Sequence, residues 1–429
     1  MARPRPKDFP GAPAVTGASF RPGTSWTCRE VTEVWQSFLI NRFSAMKILY
    51  LVTNDWYFWS HRLSLARAAR DTGAEVFVMT RLCTLRERLE KERFGVIDWH
   101  ISEGSLNPLR ELLAFIQVLK VYRDVRPDLV HHVAIKPAVY GGGAAQFCGH
   151  IPSVNTIAGL GSAFTSGTWK ARLVRPALKV LLRLALNSPR SRTVFHNDEI
   201  RQASIGAGVV RLEQTAVIRG SGVDPEEFLP HPEPEGVPMV LLASRMLWEK
   251  GVGEFVSAAK ILRSQGMAAR FVLVGDSDPS NPTSIPRDQL TAWAKSGGVE
   301  WWGHRRDMPR VFAQSSVVCL PSYAEGLPKV LIEAASCARA IVACDVPGCR
   351  DVVRHGYNGL LVPARDADAL ARAVSRLLSD SSLRLSFGAQ GRDLVQREFS
   401  NELMIREAYK IYEEVLGYPW PNSSAIRQK

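Results

Sequence analysis

Residues 317–333 constrain this chain more than any other stretch. V-V-C-L at 317–320 is a short apolar run of the kind that forms a parallel strand buried on both faces. P-S-Y-A-E-G-L-P follows, punctuated by Gly326 and Pro328, and Pro328 suits the first position of a helix, where its missing N–H costs nothing. Val330, Ala334 and Ala338 then recur four apart, which predicts a helix packed on the sheet by that face. Strand, turn and helix in this order belong to an open α/β sheet, whose ligands bind at the carboxyl edge of the strands. Glu325 falls in that edge loop and Glu333 about a turn and a half into the helix. Between them the helix N-terminus offers free N–H groups and partial positive charge, a ready site for a phosphate.

The same architecture recurs on both sides. M-V-L-L-A at 239–243 is a second buried strand, and S-R-M-L-W-E-K-G at 244–251 follows it. Arg245 and Lys250 at a strand's carboxyl end can embrace a diphosphate and stabilise a nucleotide leaving group without a metal. F-V-L-V-G-D at 271–276 is a further strand and turn. Asp276-Ser277-Asp278 spells D-x-D, but the tripeptide is common and lies in a Pro- and Ser-rich loop, so it is not read as a metal site. E-W-W-G-H-R-R-D-M-P at 300–309 is a strand, a glycine turn and a helix start, carrying Gly303, His304 and Arg305.

Upstream, I-L-Y-L-V at 48–52 is followed by a loop over 53–61, an amphipathic helix over 62–72, a stop at Gly73 and a strand at 75–79. That alternation predicts a Rossmann-like parallel sheet, while the missing G-x-G-x-x-G counts against an NAD enzyme. Trp56, Tyr57, Phe58, Trp59 and His61 in the loop are expected to line a ligand cleft. His131 and His132 end another strand, and Lys136 follows; for the histidines, packing or hydrogen bonding at the strand end is the alternative to a site role. Gly159 and Gly161, in N-T-I-A-G-L-G, allow close backbone approach to a ligand.

These residues, in this order, resemble the retaining glycosyltransferases of family four, over about residues 46–415. Glu325 and Glu333 match the E-x7-E signature, Arg245 to Gly251 the R-x4-K-G loop, and His131 to Pro137 the H-H-x-x-I-K-P variant of a bacterial surface-polysaccharide subgroup. The resemblance implies a GT-B fold of the α/β class, with two Rossmann-like domains facing each other across a cleft. An acceptor-binding domain would span 46–225 and a nucleotide-sugar domain 226–400. Residues 401–429 would form a helix that crosses back, and a tail. It implies that Glu325 contacts the donor sugar and Glu333 the ribose diol. Gly326, Leu327, Pro328, Gly303, His304 and Arg305 would flank the nucleotide, with Arg245, Lys250 and Lys136 facing phosphate charge. Many members carry H-x-H where this chain has Val133, so no catalytic histidine is assigned. A UDP-linked sugar, as co-substrate, would be the only small molecule needed, and the acceptor a polyprenyl-diphosphate-linked sugar or other glycan.

The formal charge of +12 implies an acidic partner or surface. Residues 129–197 contain eight Lys or Arg and no acid. Within them Arg172, Arg175, Lys179 and Arg183 form a helical stripe beside a broad apolar side, with Trp169 at one end. Such a helix suits the anionic inner face of a membrane; the alternative is a surface helix packed on its domain. No nucleic-acid motif accompanies the charge. Seven scattered cysteines without a C-x-x-C pair fit reduced thiols in the cytoplasm, and no apolar run is long enough to span a bilayer. The expected setting is therefore cytoplasmic and peripheral to the plasma membrane. Residues 1–45 are Pro-, Gly- and Arg-rich; either Met46 is the natural start or they form an authentic flexible tail. Two other functions compete: a UDP-sugar epimerase on the same fold, and a non-catalytic nucleotide-sugar-binding subunit.

Overall fold

The computed structural model describes residues 46–101, 107–157, 169–279 and 281–421, with only the backbone given for 169–174. The segment 1–45, Gly159, Gly161 and the tail 422–429 lie outside the described residues.

Thirteen described strands form two sheets. The first contains β1 (Lys47–Asn54), β2 (Glu75–Arg81), β3 (Gly95–Asp98), β4 (Leu129–Val133), β5 (Ser153–Ile157), β6 (Ser191–Phe195) and β7 (Thr215–Val217), in the order β3-β2-β1-β4-β5-β6-β7. The second contains β8 (Met239–Ala243), β9 (Arg270–Val274), β10 (Glu300–Trp301), β11 (Val317–Leu320), β12 (Ala340–Cys344) and β13 (Gly359–Val362), in the order β10-β9-β8-β11-β12-β13. Every pairing is parallel. In both sheets the strand order reverses between the first strand and the fourth, β1/β4 and β8/β11. That switch opens a crevice at the carboxyl ends of the strands.

The central strands explain why the sheets sit where they do. All residues of β8, β11 and β12 are buried, as continuous apolar runs with helices on both faces require. Burial of each such Val, Leu or Ile contributes roughly 1.5–3 kcal/mol. The second sheet has one core, which draws residues from Val223 to Phe399. Helix Asn401–Leu416 instead joins the core of the first sheet: it packs on helix Leu63–Asp71, β5 and β6, and Tyr412 Oη lies 3.3 Å from Tyr50 Oη of β1. The two chain crossings between the sheets lie side by side: Val223 N–H donates to Phe399 O at 3.0 Å, and Asn401 N–H to Val223 O at 2.9 Å.

Three local expectations are corrected. The stretch after β1 is a short helix, Asp55–His61, and Phe58 is fully buried edge-on to Tyr50 and Phe94, so it cannot line a cleft. The helix after the Glu325 loop runs Lys329–Ser336 with Pro328 as its N-cap. Ala338 lies beyond it at φ +54°, so the buried face is Leu331, Ile332, Ala334 and Ala335.

Candidate active site

The switch point of the second sheet brings the loops after β8 and β11 into contact. Lys250 Nζ lies 2.6 Å from Glu325 Oε1, and both side chains are mostly buried. Gly251 makes that approach possible. It sits at φ +70°, and a Cβ there would lie 2.0 Å from Pro321 O. From the other side, Gly348 at the start of helix Pro347–Val352 packs so close that a Cβ would meet Glu325 O at 2.6 Å and Gly326 O at 2.5 Å. The Glu325 carboxylate is thus carried on backbone clamped from two directions.

Glu333 lies one turn into helix Lys329–Ser336, half-buried, with Lys329 Nζ at 3.4 Å. Burial raises its pKa, and the Lys329 charge opposes that rise without cancelling it. A carboxylate held with so little compensation is suited to accept hydrogen bonds from a diol. Arg245 is exposed and reaches Asp278 at 3.3 Å, while Arg287 occupies Asp276. Both carboxylates of the D-x-D tripeptide therefore hold arginines. Arg305 pairs with Asp307 at 2.6 Å and lies over the Trp302 ring, next to Gly303 at φ +66°; His304 is exposed.

The first sheet meets this loop directly. Lys329 Nζ donates to Ser60 O at 2.7 Å, and Asn197 Nδ2 donates to Gly326 O at 2.6 Å. His61 stacks on Tyr57 with ring centroids 4.1 Å apart and bonds Ser60 Oγ through Nδ1. Burial, and then the Lys329 and Arg62 charges, push its pKa well down, so the ring is neutral. Trp56 is 44% exposed beside Tyr57.

Two matches to protein families cover both halves. Residues 47–195 match the family described as glycosyl transferase 4-like, and residues 237–380 match glycosyl transferases group 1. The chain is a family-four glycosyltransferase. It is 29% identical over 385 residues to the N,N'-diacetylbacillosaminyl-diphospho-undecaprenol alpha-1,3-N-acetylgalactosaminyltransferase of Campylobacter jejuni, covering 86% of this chain and 99% of the relative. It is 24% identical over 294 residues to the UDP-Gal:alpha-D-GlcNAc-diphosphoundecaprenol alpha-1,3-galactosyltransferase of Escherichia coli, covering 66% of this chain and 74% of that one. Among solved structures, Anabaena HepE in complex with UDP superposes with a TM-score of 0.69 at 20% identity, over 86% of this chain and 100% of that one. Sucrose-phosphate synthase of Thermosynechococcus elongatus gives 0.72 at 20%, over 87% and 99%. The two doubly wound sheets are thus the GT-B fold.

The glycosyltransferase does not assemble every expected site residue. Lys136 pairs with Glu111 at 3.0 Å, and Tyr140 bonds the same carboxylate. Its charge is thus shared with a carboxylate of helix Pro108–Val125. His131 and His132 are buried and fully bonded. His131 lies between Tyr412 Oη (2.7 Å) and Thr156 Oγ1 (2.8 Å), and His132 between Asn155 Oδ1 (2.7 Å) and Tyr122 Oη (2.8 Å). Of the basic stripe, Arg175 is half-buried, Lys179 and Arg183 are exposed, and the side chains of Trp169 and Arg172 lie outside the described residues. Lys329 and Asn197 were missed. Asn197 had a readable signal, since N-D-E opens a helix and its Oδ1 caps Ile200 N–H.

Proposed function

We propose that this glycosyltransferase moves an N-acetylhexosamine from a UDP-sugar, with retention, onto a polyprenyl-diphosphate-linked sugar at a membrane surface. The observation that carries the reading is the meeting of Lys250 and Glu325 at the switch point of the second sheet, with Glu333 in the helix that follows the Glu325 loop. The donor class is supported by the UDP complex of Anabaena HepE, and the acceptor class by the two undecaprenyl-diphosphate names among the relatives.

In this reading the Glu333 carboxylate accepts from the ribose diol, Glu325 from sugar hydroxyls, and the free N–H groups around Gly326–Lys329 receive phosphate oxygens. Lys250 and Arg245 draw charge onto the leaving diphosphate. The bond from the anomeric carbon to the phosphate oxygen breaks with its electrons going to that oxygen. The acceptor hydroxyl bonds the same face, and its proton passes to the departing phosphate oxygen. Trp56, Tyr57 and His61 stand across the junction as the acceptor side.

The membrane reading rests on a divided helix. Along Trp169–Leu186, Leu182, Ala185 and Leu186 are buried, while Val180, Leu181 and Leu184 are exposed beside Lys179 and Arg183. Helix Pro108–Val125 also exposes Leu109, Leu112, Leu113 and Ile116 at helical spacing, and Phe147 is 74% exposed at the end of the helix between them. An apolar face edged by cations fits an anionic leaflet. Among the described residues no helix is long and apolar enough to cross a membrane.

Nucleotide release from a panel of nucleotide-sugars, with and without membrane lipid extract, tests the function. Lipid-dependent release from one donor is the expected result. Sugar conversion without acceptor would identify an epimerase, and binding without turnover a non-catalytic subunit.

A further inference from the structure

Arg62 is 3% exposed, yet of its guanidinium nitrogens only Nη1 has a partner, donating to His61 O at 3.1 Å. Nε and Nη2 are buried without any hydrogen bond. The side chain borders a cavity of about 10 Å³, whose wall includes His131, Thr156, His196, Gly220 and Tyr412. That is room for one water-sized particle. No carboxylate lines it.

The charge balance of this cavity is unusual. A guanidinium stays protonated at neutral pH even where burial pulls its pKa down, as it does here. His131 and His196 are held neutral by burial and by the Arg62 charge itself, and Tyr50, Tyr57 and Tyr412 contribute only hydroxyls. One buried cation therefore stands uncompensated, a costly arrangement unless something supplies the missing charge.

We propose that this cavity is a binding site for a monatomic anion of halide size, chloride being the physiological candidate, held by the two unpartnered nitrogens of Arg62. The small volume favours a monatomic ion over a phosphate group. The ion would lie among β4, β5, β6 and helix Asn401–Leu416, beside Gly220 near the crossing between the two sheets. It would tie that helix to the first sheet and couple halide concentration to stability.

Two measurements on the full chain test this. In thermal unfolding at constant ionic strength, replacing sodium gluconate stepwise by sodium chloride or bromide is expected to raise the midpoint saturably, by at least about 2 °C. In Arg62→Met the halide-dependent part disappears. Bromide-soaked crystals of the unaltered protein should show anomalous scattering in contact with the Arg62 guanidinium, which keeps the test decisive should the variant not fold. A non-scattering water at that position, with midpoints independent of halide, would overturn the proposal.

Discussion

Lys250 and Glu325 join the ends of two neighbouring strands: the lysine follows β8, the glutamate follows β11, and their charges meet at 2.6 Å. The pair is both a structural contact and, in the proposed mechanism, two working groups. Those roles separate on mutation. Lys250→Met or Glu325→Gln alone leaves a mostly buried charge unpaired and should lower stability by about 1–3 kcal/mol. The double variant should recover most of that loss. Transfer should fall by about 10²–10³-fold in all three, the size expected for losing one group that stabilises developing charge. Urea midpoints and nucleotide release read the two effects. Restored turnover in the double variant would remove both residues from the mechanism.

Glu333 is expected to govern donor binding rather than the chemical step. Glu333→Gln should raise KM for the nucleotide-sugar about 10- to 100-fold, as for loss of a charge-assisted hydrogen bond, with kcat little changed. A 2'-deoxyribose donor should show the defect already in the unaltered enzyme and lose little more in the variant. The same substitution has a signature in stability. Because burial raises the pKa of Glu333 in the fold, the native state holds its proton where the unfolded chain has released it. Stability from this group is therefore present below the unfolded value of 4.5 and declines as pH rises through the folded pKa. Glu333→Gln should abolish that decline.

Strand–loop–helix order, and the ends of strands as the place for chemistry, were legible because both are local. V-V-C-L at 317–320 and M-V-L-L-A at 239–243 carry their burial in their composition. The partners of charged groups were not legible, because they come from distant sequence. Glu111 reaches Lys136 across 25 residues, and Lys329 reaches Ser60 across 269. An aromatic run such as Trp56 to Trp59 also conceals its helical periodicity at so short a length. Only the fold decides that Phe58 turns inward while Trp56 stays exposed.

The buried histidines predict acid lability. His132 and His196 are pushed down to about 4, both chiefly by burial, with the Arg62 charge adding to the effect at His196. Between about 4 and the ordinary 6.5 the unfolded chain binds protons that the folded chain refuses. Stability from these groups is complete above 6.5 and is lost as pH falls toward 4, by on the order of 2 kcal/mol per histidine at pH 5. Urea midpoints at pH 7.5, 6 and 5 should fall in that order. His132→Gln should be less stable at pH 7.5, because Tyr122 and Asn155 lose a bonded partner, yet show a shallower fall.

Membrane contact, if it uses the helix Trp169–Leu186, must draw on its two exposed components separately. Lys179 and Arg183 supply attraction that depends on anionic lipid and salt, about 1 kcal/mol per cation near the surface. Leu181 and Leu184 supply apolar insertion that does not. Lys179→Gln with Arg183→Gln should weaken binding to vesicles containing phosphatidylglycerol about 10- to 30-fold at low salt, and much less at high salt. Leu181→Ser with Leu184→Ser should weaken binding at both ionic strengths. Since these side chains are exposed, neither pair should change the unfolding midpoint or turnover of a water-soluble acceptor analogue. Co-sedimentation with the vesicles measures the binding. Equal binding by all the variants would remove this helix from the membrane surface and leave the exposed Leu109–Ile116 strip as the apolar face to test.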